Sequence, residues 1–297
     1  MVSDSSAALR LSCSDWSFPL LPHEQSLDLI AALGFTAADV MLRGNRGGSH
    51  VFPEDVAEDV PRWAERLGER FAARGLEVSD LFWIPWSDFE TMAPNNPDPA
   101  EIERGREMFA AILELAVRLE APGISMLPGI DWEHETHEQS LARAGDELAL
   151  RAAQARDRGI RFSIEPSVGS VCHSPEDAAR LCELAPGLEL TLDYTHYVCR
   201  GFSETEIDPL VRRARHVHVR GGADKRLQAP MAANTIDYER VVDMLSDAGY
   251  TGRLAIEYVW VEWESLNEVD VVSETVLMRD RLAAKLELGT ASEEEIR

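Results

Sequence analysis

The sequence predicts an α/β chain folded as a single (β/α)8 TIM barrel, and three observations carry that expectation. Eight short, β-rich apolar runs alternate with amphipathic helical segments along the 297 residues. Strand–helix alternation builds βαβ units and a parallel sheet. Eight such units in a chain of this length match one closed barrel better than two average domains. The first run is followed by Ser14-Asp15-Trp16-Ser17-Phe18-Pro19, which contains no glycine. The G-x-G-x-x-G turn of an open dinucleotide-binding sheet is therefore missing.

The expected strands are Ala8–Cys13, Ala38–Leu42, Leu76–Trp83, Gly123–Leu127, Ile160–Glu165, Leu188–Asp193, Arg215–Val219 and Arg253–Tyr258. Helical punctuation separates them. Pro22 opens the first helix and Gly34 closes it; Pro53 precedes a long one ending at Gly75. Pro99 opens another, with Ile102, Met108, Ile112, Leu115 and Leu119 on one face at helical spacing. Ser174-Pro175-Glu176-Asp177 combines an N-cap hydroxyl, a proline at the first helical position and first-turn acids. Gly159, Gly187 and Gly249 read as helix stops. The last helix is expected at 264–286, followed by an acidic tail, and one domain is expected over 1–297.

Lys and Arg total 29 against 53 Asp and Glu, a net charge of −24. That field repels polyanions, so neither nucleic acid nor an acidic membrane surface is an expected partner. No apolar run approaches the ~18 residues of a membrane span, and residues 1–16 lack the pattern of a signal peptide. Cys13, Cys172, Cys182 and Cys199 show no C-x-x-C spacing and read as reduced thiols of a cytoplasmic protein.

Barrel enzymes place reactive groups at the C-terminal ends of their strands. Here four successive runs end in ionisable residues: Glu165, Asp193 with His196 three residues on, His216 and His218, and Glu257. Carboxylates crowded at an apolar barrel mouth cost several kcal/mol in desolvation and repel one another. One divalent cation answers both problems. Three carboxylates and one imidazole are an oxygen-rich donor set, suited to Mn2+, Mg2+ or Co2+ rather than to a thiol-rich zinc centre.

Ile164-Glu165-Pro166, Leu192-Asp193-Tyr194-Thr195-His196, His216-Val217-His218 and Ala255-Ile256-Glu257-Tyr258 stand in the order of a known family. In these the chain resembles the xylose isomerase-like TIM barrels, the sugar phosphate isomerase/epimerase superfamily, over residues 155–260. The resemblance implies Glu165, Asp193, His218 and Glu257 as ligands of one divalent metal ion, with Mn2+ first among Mn2+, Mg2+, Co2+ and Zn2+. It implies His196 as a substrate-facing histidine and the two glutamates as the proton-transferring pair. The implied activity is isomerisation or epimerisation of a keto-sugar, sugar phosphate or related polyol through a metal-stabilised enediolate. Loss of a β-hydroxyl from the same intermediate gives an alternative, a dehydratase of the inosose or dehydroshikimate type. A second alternative is a non-catalytic barrel or partner subunit with a structural metal. The phosphodiesterase branch needs a three-metal cluster and a basic groove, which the −24 charge and eight histidines argue against. Family barrels commonly form dimers or tetramers, so a homo-oligomer is a further expectation.

His218 lies nearer the mouth and is the better ligand; His216, two residues back on the same face, belongs one layer deeper as an interior hydrogen-bonding residue or a partner of the ligands. After the seventh run, Arg226, Lys225 and Arg220 are candidates for a substrate-binding cation. Some epimerases carry an acid six residues beyond the position of Glu165, where this chain has Val171. Trp83, with Trp86, is a candidate apolar wall for a sugar face. Arg43, Arg46 and His50 could meet a substrate carboxylate or phosphate. His134 and His137 are spaced i, i+3, not the i, i+4 of a helical zinc motif, and read as a polar helix start.

Overall fold

The computed structural model describes residues 10–44, 48–86 and 88–295, with side chains as far as residue 287. In chain order the elements are β1 (Arg10–Ser14), α1 (His23–Ala32), β2 (Ala37–Arg43), α2 (Pro53–Glu58), α3 (Val60–Ala72), β3 (Glu77–Ile84), α4 (Pro99–Arg118), β4 (Gly123–Met126), α5 (His137–Asp157), β5 (Arg161–Ile164), α6 (Pro175–Leu184), β6 (Glu189–Asp193), α7 (Thr195–Val198), α8 (Glu204–Ile207), β7 (Ala214–Val219), α9 (Tyr238–Asp247), β8 (Arg253–Ile256) and α10 (Val271–Glu295). The eight strands pair in sequence order, all parallel, and β8 returns to β1, closing the barrel. All eight expected strands form, with ends moved by at most two residues. Ala8 and Arg46 fall outside the described residues.

The main apolar core lies between barrel and helices. Val40 and Leu42 of β2, Leu81 and Trp83 of β3, and Val217 and Val219 of β7 face outward into it. A smaller cluster including Met41, Phe82, Ile84, Leu127 and Leu266 lies inside the mouth. Period-two alternation separates the two sets.

Two expected helices differ. The segment from Pro53 to Gly75 breaks at Asp59, whose φ of −155° and ψ of 75° leave the helical region. Pro61 cannot donate the hydrogen bond a continuous helix needs there. The Asp59 carboxylate instead accepts from Arg62 N at 3.1 Å and starts a second helix. The stretch expected to open the last helix at residue 264 forms a 3-10 segment, Trp263–Glu268, with Glu264 and Ser265 at positive φ. The helix starts only at Val271.

The lower interior of the barrel is polar. The β6–β7 register slips between Leu190 and Thr191, leaving Arg215 as the extra residue and turning its side chain inward. Arg215 pairs with Asp80 at 2.9 Å and donates to Ser125 Oγ at 2.7 Å and Ser163 Oγ at 2.9 Å. Thr191 Oγ1 joins at 2.7 Å from Ser163 Oγ. Both charges are buried, so each depends on the other. Replacing Arg215 by Met should strand the Asp80 carboxylate and lower stability by about 3–5 kcal/mol in urea denaturation. The double variant with Asp80→Asn should recover most of that loss.

Candidate active site

Strand ends bring the predicted residues together. Glu165 follows β5, its N–H donating to Met126 O at 2.8 Å, and Glu257 follows β8, donating to Val219 O at 3.0 Å. Asp193 closes β6 and stands in register with His218 on β7, which in turn stands beside Ala255. The side chains of Glu165, Asp193, His218 and Glu257 are all buried at the barrel mouth.

His218 is the hub. Its Nδ1 lies 2.6 Å from Glu165 Oε1 and 3.3 Å from Glu257 Oε2. Its Nε2 lies 3.4 Å from Asp39 Oδ2, and the same oxygen is 2.8 Å from His216 Nε2. His216 therefore sits a layer deeper, as its strand position predicts. Asp39, which joins the two imidazoles from β2, was not anticipated. Its signal was present: a carboxylate at an inward position of the apolar run Ala37–Arg43.

Asp193 is held differently. Its Oδ1 accepts from Thr195 N at 2.8 Å and Thr195 Oγ1 at 2.7 Å, and its Oδ2 from Arg220 Nη2 at 2.9 Å. Among the described residues, potential metal donors inside the barrel fall into three convergent groups, Asp39–His216–His218, Glu165–His218–Glu257 and Glu165–Asp193–His196, with the donor atoms of each within 4.8 Å of one another. Glu165 and His218 each belong to two of them. Asp193 converges with Glu165 and His196, whereas Glu257 converges with Glu165 and His218, and Asp193 is held by the arginine.

Arg220 is the loop cation that reaches the site. It is buried, with Nη1 3.6 Å from Glu257 Oε2, and its backbone N–H and C=O are both engaged by the Tyr238 hydroxyl at 3.3 and 2.7 Å. Arg226 does not reach it. Ala223 and Arg226 exchange backbone hydrogen bonds in a tight turn, and the Arg226 guanidinium points outward, 3.9 Å from Glu268. Trp83 is likewise remote: it shares the outward parity of Leu81 and packs on Phe109, with Arg151 over its ring. Phe82 and Ile84, the inward neighbours, take the expected wall position. Val171 is fully buried in the outer core.

A cavity of about 260 Å3 opens above these groups. Its floor is Glu165, Ser167, His196, Arg220 and Glu257; its walls include Trp16, Phe82, Ile84, Phe89, Leu127 and Trp263. Arg43 lies over the Trp16 ring at the rim. His50 stacks on His23 and is not among the lining residues.

Burial and charge set the protonation states. Burial pushes the Glu257 carboxyl up to about 7, with Glu165 and Asp193 adding to that and His218 and Arg220 opposing it. For His218, burial favours the neutral ring, but Glu257, Glu165 and Asp39 more than reverse this and hold its pKa well above the usual value. Burial likewise raises Asp193, and Arg220, His196 and Thr195 overturn that, leaving it below the usual carboxylate range. His196 is lowered to about 4 by burial, so it is neutral at pH 7. Its Nδ1 accepts from Val168 N at 3.0 Å, and its Nε2 lies 3.1 Å from Arg220 Nη2 and 3.7 Å from both Glu165 Oε2 and Asp193 Oδ2, so each ring nitrogen faces an N–H donor.

The family model described as xylose isomerase-like TIM barrel matches residues 27–280, and the chain belongs to that family. Among solved structures, an L-ribulose 3-epimerase is similar at 18% identity and TM-score 0.72, covering 97% of this chain and 98% of its own. A 3-keto-D-glucoside 4-epimerase from E. coli is similar at 15% identity and TM-score 0.67, covering 93% and 98%. A probable 3-DHS dehydratase from Bacillus anthracis is similar at 12% identity and TM-score 0.67, covering 91% and 99%. Among curated protein sequences none matches. No helix among the described residues is long and apolar enough to cross a membrane.

The raised Glu257 pKa has a measurable signature in metal-free protein. Between about pH 4.5 and 7 the folded state keeps a proton that the unfolded chain has released. That contribution is fully present below the unfolded pKa and is lost as pH rises to about 7. The stability of wild type relative to Glu257→Gln should therefore fall across this window, by a few kcal/mol at most, and level off above it. A flat difference in urea denaturation would mean that Glu257 titrates as an ordinary carboxyl.

Proposed function

We propose that the protein is a divalent-metal-dependent isomerase or epimerase of a keto-sugar or related polyol, acting by proton transfer next to a carbonyl. The observation that carries this reading is the pair Glu165 and Glu257 on the floor of one cavity, bridged by His218 Nδ1 at 2.6 and 3.3 Å.

The donors suit a hard or borderline cation. They are oxygen-rich with one imidazole, and Glu257 Oε1 is buried with no hydrogen-bond partner among the described residues. Glu165, Asp193, His218 and Glu257 would hold the ion, Mn2+ being the first choice. When bound, a divalent cation supplies Lewis-acid stabilisation of negative charge on neighbouring oxygens.

The chain's own residues do the rest. One glutamate takes the proton as the C–H bond next to the carbonyl breaks, and the electron pair moves onto the carbonyl oxygen. Neutral His196, on the cavity floor beside Arg220, is placed to contact a substrate oxygen. Return of a proton to the same carbon from the opposite face inverts it; return to the neighbouring carbon converts ketose to aldose. Burial holds the Glu257 carboxyl up to about 7 in the metal-free site, and a cation beside it would favour the carboxylate, the form that accepts a proton. Aromatic and aliphatic walls exclude water and offer faces for sugar C–H groups.

A dehydratase is the second reading, because the same proton abstraction can be followed by loss of a β-hydroxyl. A protonated glutamate on the cavity floor, Glu165 or Glu257, would give its proton to the departing hydroxyl, which leaves as water. A panel of ketoses, their phosphates, inososes and hydroxypyruvate, incubated with Mn2+ in D2O and followed by NMR, separates the readings. Deuterium at the reacting carbon without water loss marks the isomerase or epimerase; net water loss marks the dehydratase. Glu165→Gln and Glu257→Gln should each keep the fold by circular dichroism and slow exchange by about 10²–10⁴-fold. Wild-type exchange in either variant removes that residue from the mechanism.

A further inference from the structure

Outside this site, three side chains from two loops and a helix start meet on the same end of the barrel. Asp131 lies in the loop after β4, His137 opens α5, and His173 lies in the loop after β5. Asp131 Oδ1 is 3.0 Å from His137 Nδ1, and its Oδ2 is 2.8 Å from His173 Nε2. The two imidazoles stack, with centroids 4.6 Å apart and planes at 22°. The donor atoms all lie within 4.8 Å of one another. The local sequence hides this cluster, because His137 pairs across space with His173 and not with nearby His134.

We propose that Asp131, His137 and His173 form a second, independent metal site that takes a late first-row divalent ion, Zn2+ being the representative. Two imidazoles and one carboxylate are donors that Zn2+, Ni2+ and Cu2+ prefer over Mn2+ and Mg2+. An ion bound here would draw these donors in to the roughly 2.0–2.2 Å of Zn–N and Zn–O bonds, which requires the side chains to shift toward one another. His137 also has the support that ligating histidines usually have: its second nitrogen, Nε2, is 3.2 Å from Asp177 Oδ1. Asp177 is itself fixed in a capping box with Ser174 at the start of α6.

The backbone beneath is preorganised. Asn95, fully buried, accepts from Ile130 N at 3.2 Å and donates to Ser140 O at 3.1 Å, tying the β4 loop to α5. Val171 N donates to Gly129 O at 2.8 Å, which ties that loop to the one carrying His173. Gly129 has φ of +99°, and a β-carbon there would collide with the Asn95 amide. Three protein donors leave further coordination positions open. Asp131 and His173 line a shallow cavity, so those positions face solvent. The ion would clamp the β4 and β5 loops together beside the main cavity.

Metal-free protein titrated with Zn2+ by calorimetry, with elemental analysis after gel filtration, tests this. His137→Ala, His173→Ala and Asp131→Asn are measured beside wild type, each checked for folding by circular dichroism. Wild type should hold one more zinc per chain than any of the three. Asp177→Asn, which keeps a capping side chain, should weaken that zinc by about 10-fold or more. Mn2+ titration should be alike in wild type and His173→Ala, since the carboxylate-rich site is untouched. His173 is exposed, so its variant is the one least able to fail by misfolding. Equal zinc content and affinity in wild type and His173→Ala overturns the proposal, as does zinc lost only on Glu257→Gln. The measurement needs no catalytic turnover, so absence of isomerase activity leaves it unaffected.

Discussion

The mouth of this barrel depends on how four buried carboxylates are kept from repelling one another. Asp39, Glu165, Asp193 and Glu257 are all removed from water, where uncompensated charges would cost several kcal/mol each. His218 answers on one side, reaching three of them through its two nitrogens. Arg220 answers on the other, gripping Asp193 and approaching Glu257. Glu257, one of whose oxygens has no hydrogen-bond partner among the described residues, absorbs the remaining mismatch by holding its proton to near neutral pH in the metal-free site. This electrostatic tension makes the site costly to fold.

The cavity above is two-sided in character. Its floor carries charge, a neutral histidine and a fixed guanidinium; its walls are largely aromatic and aliphatic. Such a chamber offers polar groups at one end and apolar faces at the other. Low polarity around the floor strengthens each electrostatic contact made there. The polar network of Asp80, Arg215, Ser125, Ser163 and Thr191 plugs the barrel below.

Much of this was legible in one dimension. Strand–helix rhythm, proline starts and glycine stops identify the eight units, because each signal acts within a few residues. Glu165, Asp193, His218 and Glu257 could be picked out because strand ends of parallel barrels share one face. Parity could have sorted Trp83 outward and Phe82 inward, as Leu81 and Ile84 attest. The helix break at Asp59 was also written locally, in Pro61.

Other features have no local signature. Whether Arg220 or Arg226 reaches the acids depends on a tight turn between Ala223 and Arg226, two residues whose backbones pair only once the loop is folded. Asp39 finds His216 from 177 positions away, and His137 finds His173 across two loops. By itself the chain determined the fold class, the strand count and the acids at the rim, since these follow from periodicity and end positions. Tertiary structure alone decided which cation neutralises which acid and which histidines become neighbours. Those outcomes turn on barrel closure and strand slips, which bring together residues whose sequence separation says nothing of their distance.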